Sequence, residues 1–173
     1  MYNNDNNQKY ALLAAFFAML LFTLVSCGKQ MAELRGDAHD IAFRVYSRAG
    51  IDTGHMSETK IEPADAYVLG ITEGEFEEKV EDARVFRPDE LSAAESLCVV
   101  VAKNEPCAEE LYAEMKESYD WAPCDPAETA VFMMYGNYIL LAKSDAAGAG
   151  AISEAFADET DGDAAVHFSQ NPM

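Results

Sequence analysis

TAVFMMYGNYILLAK, residues 129–143, decides the fold. Two apolar runs of strand length flank Gly136-Asn137. Gly at the first central position of a two-residue loop suits a type II′ turn, whose twist matches that of a hairpin. The stretch therefore predicts two adjacent antiparallel strands. Outward toward the N-terminus lies SLCVVVA, residues 96–102, an almost continuous apolar run of strand length. Such a run belongs in the middle of a sheet.

Between these strands Asn104 can cap a helix that carries Pro106 in its first turn. Ala108, Leu111, Tyr112, Met115 and Tyr119 recur at helical spacing and make its buried face, with Glu109, Glu110, Glu114 and Glu117 outside. Trp121, Pro123 and Pro126 belong to the connection that follows. Ser144 can cap a last helix that runs to about Ala157, with Ile152 and Phe156 facing in. From Asp158 the composition has low hydrophobicity, which predicts a disordered acidic tail over 158–173.

On the other side, Leu34, Ala38, Ile41, Ala42 and Val45 predict a helix that Gly50 stops. Residues 51–65 are polar and read as a loop. AYVLGI, 66–71, is rich in β-formers and predicts a strand. Residues 73–86 fit either a short amphipathic helix on Phe76, Val80 and Ala83 or an extended ARVF, and Pro88 ends them. This order implies one α+β domain over residues 31–157. Its expected form is a small, mostly antiparallel sheet of about four strands with helices packed on one face.

The N-terminus has a different character. Residues 1–10 are polar, residues 11–24 carry no charge, and the small residue Ser26 precedes Cys27. That is the layout of a secretory signal peptide. The apolar run is shorter than the roughly 20 residues that a membrane span needs. Leu24-Val25-Ser26-Cys27 resembles the lipobox of bacterial lipoproteins. The resemblance implies cleavage between Ser26 and Cys27 and a diacylglyceryl thioether on the Cys27 thiol. Residues 1–26 would then be the signal peptide and 27–30 the lipidated Cys with a short tether. Two acyl chains give stable anchoring where one gives marginal binding.

Removing residues 1–26 of 173 leaves 147 and removes Asp5 with Lys9, so the formal net charge stays at −19. An acidic excess of this size repels nucleic acid and anionic lipid headgroups. The expected partners are the membrane, through the anchor alone, and an envelope protein or polysaccharide. Cys98, Cys107 and Cys124 remain. Cys98 reads as a buried apolar residue. Cys107 and Cys124 are the pair that could close a disulfide if the loop after the helix turns back.

The SAAESLCVVVAK strand, the helix after it, and the YGNYILLAK hairpin arm with its final helix resemble the DUF4358 family, over roughly residues 60–157. That domain, whose function is unknown, is found on lipoproteins of Firmicutes, mainly clostridial relatives. The resemblance implies a Gram-positive cell surface and a genomic setting near envelope polysaccharide acyl-transfer machinery. It brings no catalytic residues.

Chemistry-bearing patterns are sparse. His39 sits beside Asp37 and Asp40, and a His with a carboxylate can serve as a base. All three fall on the polar side of the first helix. His55 and His167 lack ligand spacing, and no nucleophile elbow or phosphate loop is present. DETDGD, 158–163, lacks the register of a calcium loop. No metal site and no cofactor are expected. Tyr112, Tyr119, Trp121, Tyr135 and Tyr138 crowd one half of the chain, as core or as a binding platform. The reading that follows is a membrane-tethered, extracytoplasmic, non-catalytic accessory or binding domain. The alternative is a small envelope enzyme, a hydrolase or acyl-transfer accessory, whose site is assembled from scattered residues.

Overall fold

The hairpin forms as its sequence predicts, with Tyr135 opposite Tyr138 across a two-residue turn. Gly136 adopts φ +57°, in the left-handed region that favours glycine. Asn137 ties the turn to the neighbouring strand. Its Nδ2 donates to the Ala102 carbonyl at 3.2 Å, and the Ala102 N–H donates to the Asn137 carbonyl at 2.8 Å.

The structure, a computed structural model, describes residues 34–54, 56–88, 95–121 and 126–172. In chain order the elements are α1 (Ala38–Arg48), β1 (Met56–Lys60), a 3-10 helix (Pro63–Leu69), α2 (Glu73–Lys79) and β2 (Val80–Pro88). Then come β3 (Ser96–Ala102), α3 (Glu105–Ser118), β4 (Thr129–Tyr135), β5 (Tyr138–Ser144), α4 (Ala146–Glu159) and β6 (Ala165–Gln170). The strands make one sheet in the order β1-β2-β3-β5-β4-β6, with every neighbouring pair antiparallel. The α+β class is as expected, and β3 takes its interior place.

The sheet has six strands rather than about four, because both edge strands escaped the hydrophobic pattern. β1 is MSETK, within the stretch that reads as a loop, and all but its first residue are exposed. β6 is AVHFSQ, within the stretch expected to be a disordered tail, and it pairs along β4 from Ala165 opposite Met134 to Gln170 opposite Thr129. Edge strands are held by ladder hydrogen bonds on one side and bury little, so their composition stays polar.

AYVLGI is not a strand. Its first four residues close the 3-10 helix, where Ala66 and Leu69, three apart, turn inward while Tyr67 and Val68 stay exposed. Pro63 opens this helix and Gly70 ends it at φ +75°. A Cβ at Gly70 would lie 3.3 Å from the Tyr119 backbone, so glycine lets the 3-10 helix dock against the end of α3. The ambiguous stretch 73–86 is both things in turn. A Thr72–Glu75 capping box starts α2, and the chain becomes extended at Val80.

The helices cover both faces, not one. α1 and α4 pack over Leu97, Val99, Val131, Met133, Leu140 and Ala142. The 3-10 helix, α2 and α3 pack on the opposite side, with Val100, Phe132, Ile139 and Leu141. Successive strand residues point to opposite faces. β3, β4 and β5 are buried at nearly every position, so a single helical layer would leave half of their apolar surface in water. α4 is capped by Asp145, whose Oδ1 accepts from the Gly148 N–H at 2.7 Å, while Ser144 is the buried last residue of β5. Among the described residues no helix is long and apolar enough to cross a membrane.

Candidate functional site

The residues that the sequence singles out around His39 do not form one group. Asp37 is the N-cap of α1, and its Oδ1 accepts from the Asp40 N–H at 2.9 Å. His39 turns away from both acids. Its Nδ1 lies 2.7 Å from Glu58 Oε2 on β1, and its ring packs on Phe43 with centroids 4.3 Å apart. The other Glu58 oxygen accepts from Arg84, whose Nε donates to Asp82 Oδ2 at 2.8 Å. The Arg84 hydrogen bond, and after it the one from His39, holds the Glu58 carboxyl below its ordinary range.

This His39–Glu58–Arg84–Asp82 ladder is open to solvent, with 45% of the His39 side chain accessible. It fastens the thin edge strand β1 to α1 and β2. Glu58 is invisible as a partner in sequence, because only strand pairing brings it beside Arg84 and under α1.

The other singled-out residues separate likewise. Cys107 is a free, half-buried thiol, and Cys124 lies outside the described residues. Ser26, Cys27, the signal segment 1–26, the tether 27–30 and His55 also lie outside them. The aromatics are mostly core: Tyr112, Tyr135 and Tyr138 are buried, and Tyr119 and Trp121 pack partly buried against Phe132 and its neighbours. Among the described residues no three His, Cys, Asp or Glu side chains converge as metal ligands.

What the fold does assemble is a cleft of about 280 Å³ on the sheet face opposite α1. Its floor is two rows of side chains across adjacent strands. The inner row runs Thr59, Val85, Cys98, Leu141, each directly opposite the next. The outer row holds Arg87, Ser96 and Lys143, with Ser96 opposite Lys143. Ile61 and the 3-10 helix residues Asp65 and Val68 close one side. Lys60 also lines it, with Nζ 3.1 Å from Glu62.

Beyond Thr59 the inner row is apolar, and the outer row sets two cations on either side of Ser96. Among the described residues, three of the chain's twelve Lys and Arg side chains and one carboxylate line this cleft, in a protein of net charge −19. Local charge therefore runs against the field of the whole molecule. Burial pushes the Cys98 thiol up to about 11, against the lowering pull of Lys143 and Arg87. It stays a neutral thiol at pH 7 and is not a nucleophile in that form. The His39–Glu58 pair lies across the sheet from it, on the α1 face, and cannot act as its base.

Sequence reading missed the cleft because its floor is drawn from four strands far apart in the chain. The one available signal was a repeated pattern at strand ends. Val85/Arg87, Cys98/Ser96 and Leu141/Lys143 each place an apolar residue two positions from a polar one. That pattern has meaning only once the strand order is known.

The buried thiol also makes a pH prediction. Its folded pKa is raised, so the folded state holds this proton more tightly than the unfolded chain. The associated stability is fully present below the ordinary thiol value of 9.0 and is lost as pH rises toward about 11. Buried Tyr112 and Tyr138, both raised by burial, extend the loss to higher pH. Denaturant midpoints should be level from pH 7.5 to 9 and then fall, by on the order of 2 kcal/mol from the thiol alone at pH 11. Cys98→Ala should flatten that limb. A parent curve level to pH 11 would contradict the burial of the thiol.

No family model, curated protein or solved structure matches this chain, so the geometry of the cleft and the sequence of its N-terminus carry the functional reading.

Proposed function

We propose that this chain is a lipid-anchored, extracytoplasmic binding domain of the cell envelope, kin to the DUF4358 lipoproteins, and that it acts without catalysis. Cys27 is its lipid attachment point, and the cleft beside the 3-10 helix is where it meets an envelope protein or polymer. The observation that carries this reading is the cleft's composition. It offers an apolar floor, a row of cations for orientation and a thiol held protonated. That is the equipment of recognition, with few polar groups placed at the rim of an apolar concavity. The strongly acidic remainder disfavours contact of the domain with anionic lipid headgroups, so the anchor is its expected link to the membrane.

Complementation of a deletion strain tests it. Arg87→Glu with Lys143→Glu should fail to restore the phenotype while retaining the parent melting temperature. His39→Ala should restore it, because that residue only braces β1. Rescue by the cleft variant with failure of His39→Ala would instead favour an enzyme acting at the α1 face.

A further inference from the structure

We infer that two copies of this chain pair through the open edge of β6, strand against antiparallel strand, with His167 at the two-fold axis. The cleft lies elsewhere on the sheet, on β1, β2, β3 and β5, and takes no part. The two edges of the sheet are built differently. β1 carries Glu58 and Lys60, engaged by Arg84 and Glu62, so charge blunts that edge. Residues 164–170, which include β6, hold no Asp, Glu, Lys or Arg. Val166 and Phe168 are two of the four large apolar side chains exposed among the described residues. They stand opposite Met133 and Val131, so they continue into solvent the apolar face that α1 and α4 cover.

Phase and pattern point to a second copy as the occupant. The Asn171 N–H donates to the Glu128 carbonyl at 2.9 Å, so the odd-numbered residues of β6 turn their backbone groups to β4. By the alternation of an antiparallel ladder, Val166, Phe168 and Gln170 turn theirs to the open edge. A two-fold axis normal to the sheet keeps each face on its own side, so an even-numbered residue must meet an even-numbered one. With His167 on that axis, Val166 meets Phe168 of the second copy and Phe168 meets its Val166. Four exposed apolar side chains then cover one another at hydrogen-bonded positions. An axis at Phe168 would pair Val166 with Gln170 instead, and one at Val166 would pair Phe168 with Ala164. Asp163 falls opposite Asn171 of the second copy, which sets the two Asp163 residues about 27 Å apart. That exceeds the roughly 8 Å screening length at physiological salt. A charged foreign strand finds no counter-charge along 164–170, whereas this strand finds its own complement.

A contact this narrow makes a weak dimer, so the test follows mass against concentration. It uses sedimentation equilibrium of the full-length chain in density-matched detergent micelles. The expected result is a monomer–dimer equilibrium that Phe168→Lys weakens by on the order of tenfold, since the change removes both Val166–Phe168 pairs. Ser57→Lys, on the β1 edge, makes the same change of charge and should leave the equilibrium as it is. Raising salt from about 0.05 M to about 0.5 M should strengthen association, because it screens the repulsion between two chains of net charge −19. Under mild oxidation His167→Cys should give a disulfide-linked dimer, mapped at its peptide by mass spectrometry. A non-hydrogen-bonded antiparallel pair holds its Cα atoms about 4.5 Å apart, within disulfide reach. Ser169→Cys should not link, because its two copies lie about 14 Å apart along the strands. A chain that stays monomeric at every concentration would overturn the inference and leave this edge to a strand of another protein. A dimer that Ser57→Lys dissociates, that Phe168→Lys leaves intact, that salt weakens, or that links through Ser169→Cys rather than His167→Cys would overturn it equally.

Discussion

Cys27→Ala is expected to abolish lipid attachment entirely. In Leu24-Val25-Ser26-Cys27 only the thiol can form the thioether that receives the lipid, and the resemblance to a lipobox makes that modification the prelude to cleavage. The variant should therefore accumulate as the uncut chain of 173 residues without acyl mass. The parent should mature to 147 residues beginning at Cys27 and carry its acyl chains. Each buried methylene contributes roughly 0.8 kcal/mol to partitioning, so losing two chains removes the whole of the anchoring that the lipid supplies. Intact-mass measurement of protein extracted from native membranes reads this directly. A mature species that begins elsewhere, or one that carries no lipid, would remove the anchor from the account.

Phe132→Ala should give the largest loss of stability. Phe132 is fully buried in β4, and its ring meets Tyr119 edge-on at 5.2 Å. It lies opposite Leu141, whose side chain floors the cleft. Removing such a ring from a packed core costs about 3–5 kcal/mol in transfer and cavity terms together. That is a large share of the roughly 5–15 kcal/mol that holds a domain folded, and it lowers Tm by on the order of 10 °C. Val166→Ala, at a half-exposed position of edge strand β6, should stay within about 0.5 kcal/mol of the parent. Equal effects of the two changes would mean that β4 is not the centre of the core.

What could be read in advance follows burial. The hairpin, β3 and α3 announce themselves because their apolar residues are numerous and their punctuation, Gly136 and Asn104, is local. β1 and β6 do not, because backbone pairing to a neighbour stabilises a strand of almost any composition. The 3-10 helix misleads because Tyr67 and Val68 are strand formers set between apolar neighbours, and a docking contact with the α3 end decides otherwise. The expectation of helices on one face fails for a reason already present in the sequence. SLCVVVA has no polar face, and a strand apolar at every position demands cover on both sides. His39 stands out in the sequence only through the acids beside it, yet its carboxylate is Glu58, nineteen residues away, rather than Asp37 or Asp40. The cleft was illegible because charge at the ends of β2, β3 and β5 converges only when those strands lie side by side.

The claim that most needs a direct test is that the cleft binds and does not react. Cys98 is the nucleophilic atom on its floor, so the pH dependence of Cys98 alkylation decides it. Iodoacetamide modification of the folded, full-length chain, followed at the Cys98 peptide by mass spectrometry, should show almost no reaction at pH 7. Its rate should rise with an apparent pKa near 11, the value set by burial. A midpoint at or below about 7.5, the range of activated thiols, would show a thiolate poised in the cleft. The account of a non-catalytic binding domain would then give way to that of an enzyme.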